Sequence, residues 1–169
     1  MIKRWNHNGN SLKANELWDH TIEAGILIDA KVKRYNDFHM KVAYMAGNDL
    51  SFAKKRKVGA VLVDYGNIVG YGFNGTPAGE DNNCEDADGN TLPSVIHAEI
   101  NLLLKVQTFH LSGMRLFVTK EPCINCAREI IKRRGNFSVY YCDQSQSKPG
   151  EGLQVLTVAG LDVYRMAHP

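Results

Sequence analysis

Apolar residues recur at helical spacing through Leu17, Ile22, Ile26, Leu27 and Val32, with polar residues between them. That spacing predicts a helix over much of the N-terminal segment. A second helix is marked by Phe38, Val42, Tyr44 and Met45, and Gly47-Asn48-Asp49 reads as its stop. The period then changes from helical to extended. Lys57 to Asp64 is rich in β-branched residues, Tyr65-Gly66-Asn67 turns the chain, and Ile68 to Gly72 returns it, so a hairpin is predicted. Asn74 to Pro93 is full of Gly, Asn, Asp and Pro and reads as a long loop. Loops of that length inside a compact domain usually carry function.

Beyond the loop, helix and strand alternate. Ala98 to Val106 reads as helix, Met114 to Thr119 as strand, and Cys123 to Arg134 as helix. Phe137 to Cys142 reads as strand, Gly152 to Ala159 as helix, and Leu161 to Tyr164 as a last strand. Such alternation implies parallel strands with helices on their faces. With the hairpin at one side, the expected fold is α/β: a three-layer α/β/α sandwich around a mixed sheet of about five strands.

A chain of 169 residues, 44% hydrophobic and 22% charged, can bury one core and is not of disordered composition. We divide it into an N-terminal helical extension, 1–34, and one catalytic domain, 35–169. The formal net charge of +2 gives no field that argues for nucleic acid or membrane as partner. No apolar stretch is long enough to span a bilayer, and Met1 to His7 lacks an apolar core, so a cytoplasmic setting is expected. In a reducing compartment Cys123 and Cys126, a C-x-x-C pair, point to metal or redox chemistry before a structural disulfide.

The chemistry concentrates in His97-Ala98-Glu99 and Pro122-Cys123-Ile124-Asn125-Cys126. H-x-E followed by P-C-x-x-C is the known signature of zinc-dependent base deaminases. Its physical reason is plain. Two cysteines at i and i+3 share one helix face, and Pro122 suits the helix opening, where a missing N–H costs nothing. The positive end of the helix favours thiolates. Two thiolates and one imidazole leave a tetrahedral zinc one open position, the layout of a catalytic site. Glu99, two residues after His97, is the expected general acid and base. It takes a proton from the activated water and delivers it to the ring nitrogen beside the amino-bearing carbon. The water oxygen attacks that carbon, and Glu99 then protonates the amine, which leaves as ammonia. A thioredoxin-like redox pair would leave His97 and Glu99 without a role.

Three stretches make the resemblance more specific. They are Arg56 to Val61 running on to Gly70 to Gly79, then Asn83 to Asp86 with Ile96 to Asn101, and Val118 to Ala127. On these residues the chain resembles the deoxycytidylate (dCMP) deaminase family of the cytidine deaminase-like superfamily, over roughly Tyr35 to Tyr164. The resemblance implies one catalytic Zn2+, hydrolysis of dCMP to dUMP and ammonia, and supply of dUMP for thymidylate synthesis. It implies that Asn74 contacts the sugar and that Thr76, Pro77 and Ala78 help hold the nucleotide. Glu121 would sit over the zinc pocket. It also implies a homo-oligomer, hexameric in many members, activated by dCTP and inhibited by dTTP. Effectors would bind near the glycine-rich loop, at Gly75 and Gly79. Backbone amides of such a loop suit phosphate oxygens. The chain departs from the family in two places. Cys84 stands where some relatives bind a second, structural zinc, without partners of its own, so one zinc is expected. Many relatives carry a tyrosine soon after the strand that ends here at Tyr141-Cys142; here Asp143 to Lys148 follows, with Tyr141 and Lys148 as the compensating residues.

The remaining features have ordinary readings. Lys54-Lys55-Arg56-Lys57 reads as a solvated junction, with nucleotide phosphates as the functional alternative. Arg128, Lys132, Arg133 and Arg134 complement a helix dipole. Trp5 and Trp18 read as packing anchors, and Cys142 as a buried thiol. Three other functions compete with dCMP deamination: deamination of another cytosine nucleotide such as dCTP, deamination of a base in RNA or single-stranded DNA, and a non-enzymatic sensor. The nucleic-acid reading needs a basic groove with aromatic platforms. A sensor with a vestigial site would have no use for Glu99.

Overall fold

The computed structural model describes residues 30–106, 113–133, 137–144 and 148–169. The helix expected from Leu17 onward, Trp5, Trp18 and Arg134 lie outside the described residues. Helix α1 runs Ala30–Met45, across position 34. It passes directly into a π-helical turn, Ala46–Leu50. The α-helix thus ends just before Gly47 and the helical path just after Asp49, as the Gly47-Asn48-Asp49 stop predicts. Gly47 also serves close packing: a Cβ there would lie 2.8 Å from the Gly59 nitrogen.

Strands β1 (Gly59–Asp64) and β2 (Asn67–Phe73) form the predicted hairpin. Tyr65 and Gly66 are the two turn residues, with φ of 45° and 85°. Positive φ at both positions matches the twist of the strands it joins, and the cost falls on Tyr65, which carries a side chain. Helix α2 (Ala98–Lys105) follows the long loop. Then come β3 (Arg115–Lys120), α3 (Ile124–Lys132), β4 (Ser138–Asp143), α4 (Glu151–Val158) and β5 (Asp162–Arg165).

The five strands lie in the order β2-β1-β3-β4-β5. β1 is antiparallel to β2 and to β3, while β3, β4 and β5 are parallel. The sheet is mixed, as expected, and alternation along each strand divides the core. Ala60, Leu62, Leu116, Val118, Val139 and Tyr141 face one side, where they pack with residues of α2, α3 and α4. Val61, Val63, Phe117 and Cys142 face the other, against Met40 and Ala43 of α1. These are the three layers of an α/β/α sandwich. Every one of these residues is at most 2% exposed, so substitutions there create cavities.

The arrangement puts the start of β1 beside the ends of β2 and β3, and the chemistry gathers at that edge. Ala60 pairs with Val118, and Gly59 with Phe73. The Gly59 N–H also donates to the Thr119 hydroxyl at 3.2 Å. Gly72 lets α2 approach this edge: a Cβ on it would collide with the Ala98 carbonyl oxygen and lie 2.6 Å from the Leu102 nitrogen. Ala98 sits between His97 and Glu99, so this contact sets where both side chains start. Gly72→Ala is expected to cost about 1–3 kcal/mol through overpacking and to lower turnover as well. Denaturant midpoints and initial rates, measured side by side, check both effects.

Candidate metal centre and active site

Two helix starts meet at the sheet edge. His97 is the residue capping α2, with extended backbone at φ −69° and ψ 154°. Cys123 caps α3 in nearly the same conformation, φ −69° and ψ 167°. Cys126 falls in the first turn of α3. Cys123 is thus the cap rather than the first helical residue, and Pro122 stands just before it. The i, i+3 relation still brings both sulfurs to one side. The free N–H groups of both helix starts point their partial positive charge at the site.

His97 Nδ1 lies 3.6 Å from Cys123 Sγ and 3.3 Å from Cys126 Sγ. The three ligand atoms all fall within 4.8 Å of one another. A tetrahedral zinc with sulfur at ~2.3 Å and nitrogen at ~2.0–2.1 Å holds such a pair about 3.6 Å apart. The donor set fits zinc in element type and in spacing. Its electrostatics point the same way. Hydrogen bonding from Cys126 first, and from His97 second, draws the Cys123 thiol down to about 3. The Cys123 sulfur and then burial push the Cys126 thiol up. Two thiolates this close repel each other, and a divalent cation between them is what lets both donate together.

Glu99 lies in the first turn of α2 and is only 3% exposed. It shares a side-chain hydrogen bond with Cys126. Burial pushes its carboxyl up to about 7, against the lowering pull of its own backbone N–H and of His97. A carboxyl so placed can take and return a proton near neutral pH.

A pocket of about 190 Å³ opens over this group. Its walls include Arg56, Asn74, Thr91, Lys120 and Glu121 together with His97, Glu99 and Cys123. It is smaller than the ~300–1,000 Å³ of pockets that bury drug-sized ligands, and suits a single ring. Asn74 is buried and heavily used by the backbone around it. Its Oδ1 accepts from the Val58 N–H and the Ser51 hydroxyl, both at 2.8 Å, and its Nδ2 donates to the Arg56 carbonyl at 2.7 Å. Asn74 thereby fixes the pocket rim, where β2 ends and β1 is about to begin.

The other residues singled out in the sequence fall in different places. Gly75 pairs with Ile96 in a short bridge, which ties the glycine-rich loop to the residue before His97. Thr76 and Pro77 are half-buried, and Ala78 and Gly79 are exposed on the loop; the pocket wall does not include these four. Tyr141 is not on the wall either. It is 2% exposed, and burial, then the Glu121 carboxylate, push its hydroxyl up to about 12. Lys148 is exposed and lies 3.7 Å from Glu151. Cys84 is buried with Ala53 and Val95. Arg56 and Lys120 are the two cations on the wall. The structure divides the basic run between its two readings, solvated junction and phosphate contact: Lys57 binds the Asn48 carbonyl at 2.7 Å, while Arg56 faces the pocket. Period two gave the hint, because Arg56 and Val58 share a side of the extended chain entering β1.

Residues 33–142 match the family model described as the cytidine and deoxycytidylate deaminase zinc-binding region. The chain belongs to this family. A deaminase of Aliivibrio fischeri, otherwise uncharacterized, is 36% identical over 116 residues, spanning 63% of this chain and 77% of that one. The deoxycytidylate deaminase of Mycobacterium phage D29 is 31% identical over 125 residues, spanning 66% of this chain and 96% of the relative. Among solved structures, the dCMP deaminase of cyanophage S-TIM5 with dCMP and dUMP superposes with a TM-score of 0.71 at 35% identity. That superposition covers 82% of this chain and 99% of the other. Against nematode, fly and yeast relatives, the chain spans 43%, 66% and 44% of their lengths. Zinc is the metal that this deaminase family's site takes, and the three donors here fit it.

Removing a donor should remove the metal. Cys126→Ala is expected to weaken zinc binding by at least ~100-fold, beyond the usual loss from an outer partner. Competition with a chromogenic chelator measures it, and prior treatment with a strong chelator should abolish activity until zinc is restored.

Proposed function

We propose that this chain is a zinc-dependent deaminase that hydrolyses dCMP to dUMP and ammonia, so supplying dUMP for thymidylate synthesis. The observation that carries the reading is a buried Glu99 beside three zinc donors, two of which, His97 and Cys123, line a ring-sized pocket with it. Zinc held by His97, Cys123 and Cys126 would supply an activated water, one that ionises near pH ~7 rather than ~15.7.

The rest is the work of the chain. Glu99, held in the first turn of α2, takes the proton from that water and passes it to the ring nitrogen next to the amino-bearing carbon. The water oxygen bonds to the carbon. Glu99 then carries the second proton to the amino group, the C–N bond breaks, and ammonia leaves.

Arg56 and Lys120 on the wall support a substrate that carries a phosphate, since a free base or nucleoside has no use for two cations. In the same reading Asn74 meets the sugar, Thr76, Pro77 and Ala78 help hold the part of the nucleotide outside the ring pocket, and Glu121 lines that pocket, while Tyr141, buried off the wall, is left without a substrate contact. Gly75, Gly79 and Lys148 belong to an effector site for dCTP as activator and dTTP as inhibitor, within a homo-oligomer, a hexamer by preference. Among the described residues no helix is long and apolar enough to cross a membrane; a cytoplasmic setting belongs to the same proposal.

Ammonia release from dCMP, dCTP, cytidine and a single-stranded oligonucleotide tests the substrate. Turnover of dCMP above the others is expected; turnover of the oligonucleotide but not of dCMP would refute the reading. Glu99→Gln should lower turnover of dCMP by at least ~100-fold, with zinc content kept near that of the unaltered protein. Substantial residual activity in that variant would take Glu99 out of its role.

A further inference from the structure

Of the three zinc donors, His97 and Cys123 both sit at helix caps rather than inside a helix. Cys126 lies inside α3, where the helix fixes its backbone. Cys123 is the cap, with extended backbone, and its hold within α3 is the bond from the Ala127 N–H to its carbonyl at 2.8 Å. A ligand on such a segment needs support from outside if it is to stay within ~0.5 Å of a productive position.

That support comes from the first turn of α4. Gly150, in left-handed conformation at φ 86°, caps this helix and donates its N–H to the Glu121 carboxylate. Two residues on, Gly152 lies flat against the Pro122–Cys123 peptide. A Cβ on Gly152 would collide with the Pro122 carbonyl oxygen and lie 2.9 Å from the Cys123 carbonyl carbon. The Glu121 N–H is held in turn by the Asp143 carbonyl at 2.7 Å. Glu121 is 5% exposed, so its carboxylate needs such donors, and the positive start of α4 favours it there.

We infer that Glu121 and Gly152 are positioning residues for the zinc ligand Cys123. Glu121 fastens the start of α4, and Gly152 lets that start press on the Pro122–Cys123 peptide. The role is exercised on the metal site itself and needs no substrate. This inference rests on the zinc reading given above.

The test measures zinc affinity of the full chain without substrate, by competition with a chromogenic chelator, together with the absorption of the cobalt(II)-substituted protein. Glu121→Ala should bind zinc about 10–100-fold more weakly. Glu121→Gln keeps an acceptor for the Gly150 N–H and should stay within about threefold of the unaltered protein. Gly152→Ala should shift the cobalt–thiolate bands, because Cys123 is displaced. Gln154→Ala, on the exposed side of the same helix, should change neither readout. If Glu121→Ala does not fold, Glu121→Asp withdraws the carboxylate by one methylene and should give an intermediate loss. An unaltered protein that binds no zinc would overturn the zinc reading. Zinc binding equally tight in the unaltered protein and in the folded Glu121 variant would overturn the positioning role alone.

Discussion

Two sulfurs and an imidazole nitrogen converge within 4.8 Å, and much of the architecture at this edge of the sheet serves that convergence. Such donors do not gather by themselves, because two thiolates repel and their desolvation is costly. Three things hold them together. Two helix starts aim partial positive charge at the sulfurs. Two glycines, Gly72 and Gly152, let a helix approach closely behind each motif. The third is the metal, which turns repulsion between ligands into attraction toward a shared charge.

Sheet order follows from the same need. Because β1 is antiparallel to β3, its start lies beside the end of β3. The Arg56–Val58 approach, the Asn74 corner and the Lys120–Cys123 turn therefore meet on one edge, although they are far apart in sequence. The parallel pairing of β3 with β4 then brings Asp143 beside Lys120, and α4 returns from there to lie behind Cys123.

Much of this was legible in the sequence, for specific reasons. The hairpin could be read because β-branched runs flank a turn that needs positive φ. The zinc donors could be read because their spacing survives any small shift of the helix boundary: Cys123 is a cap rather than a helical residue, and the two sulfurs still share a side. Gly47 marks the helix end, but its second role, the close approach of Gly59, is tertiary and not legible locally. Arg56 and Lys120 were missed as a pair for the same reason. Nothing local links them, and only the pairing of the strands brings both to one pocket. The glycine-rich loop shows the opposite case: its motif is strong, yet Thr76 to Gly79 stand apart from the pocket wall.

Zinc-edge X-ray absorption of the purified, zinc-loaded protein tests the account most directly. It counts the ligands without reference to activity. The account predicts two sulfurs at ~2.3 Å and two lighter ligands at ~2.0 Å, one imidazole and one exchangeable oxygen that responds to added substrate analogue. A closed shell of four protein ligands, or a metal with fewer than two sulfurs, would contradict it.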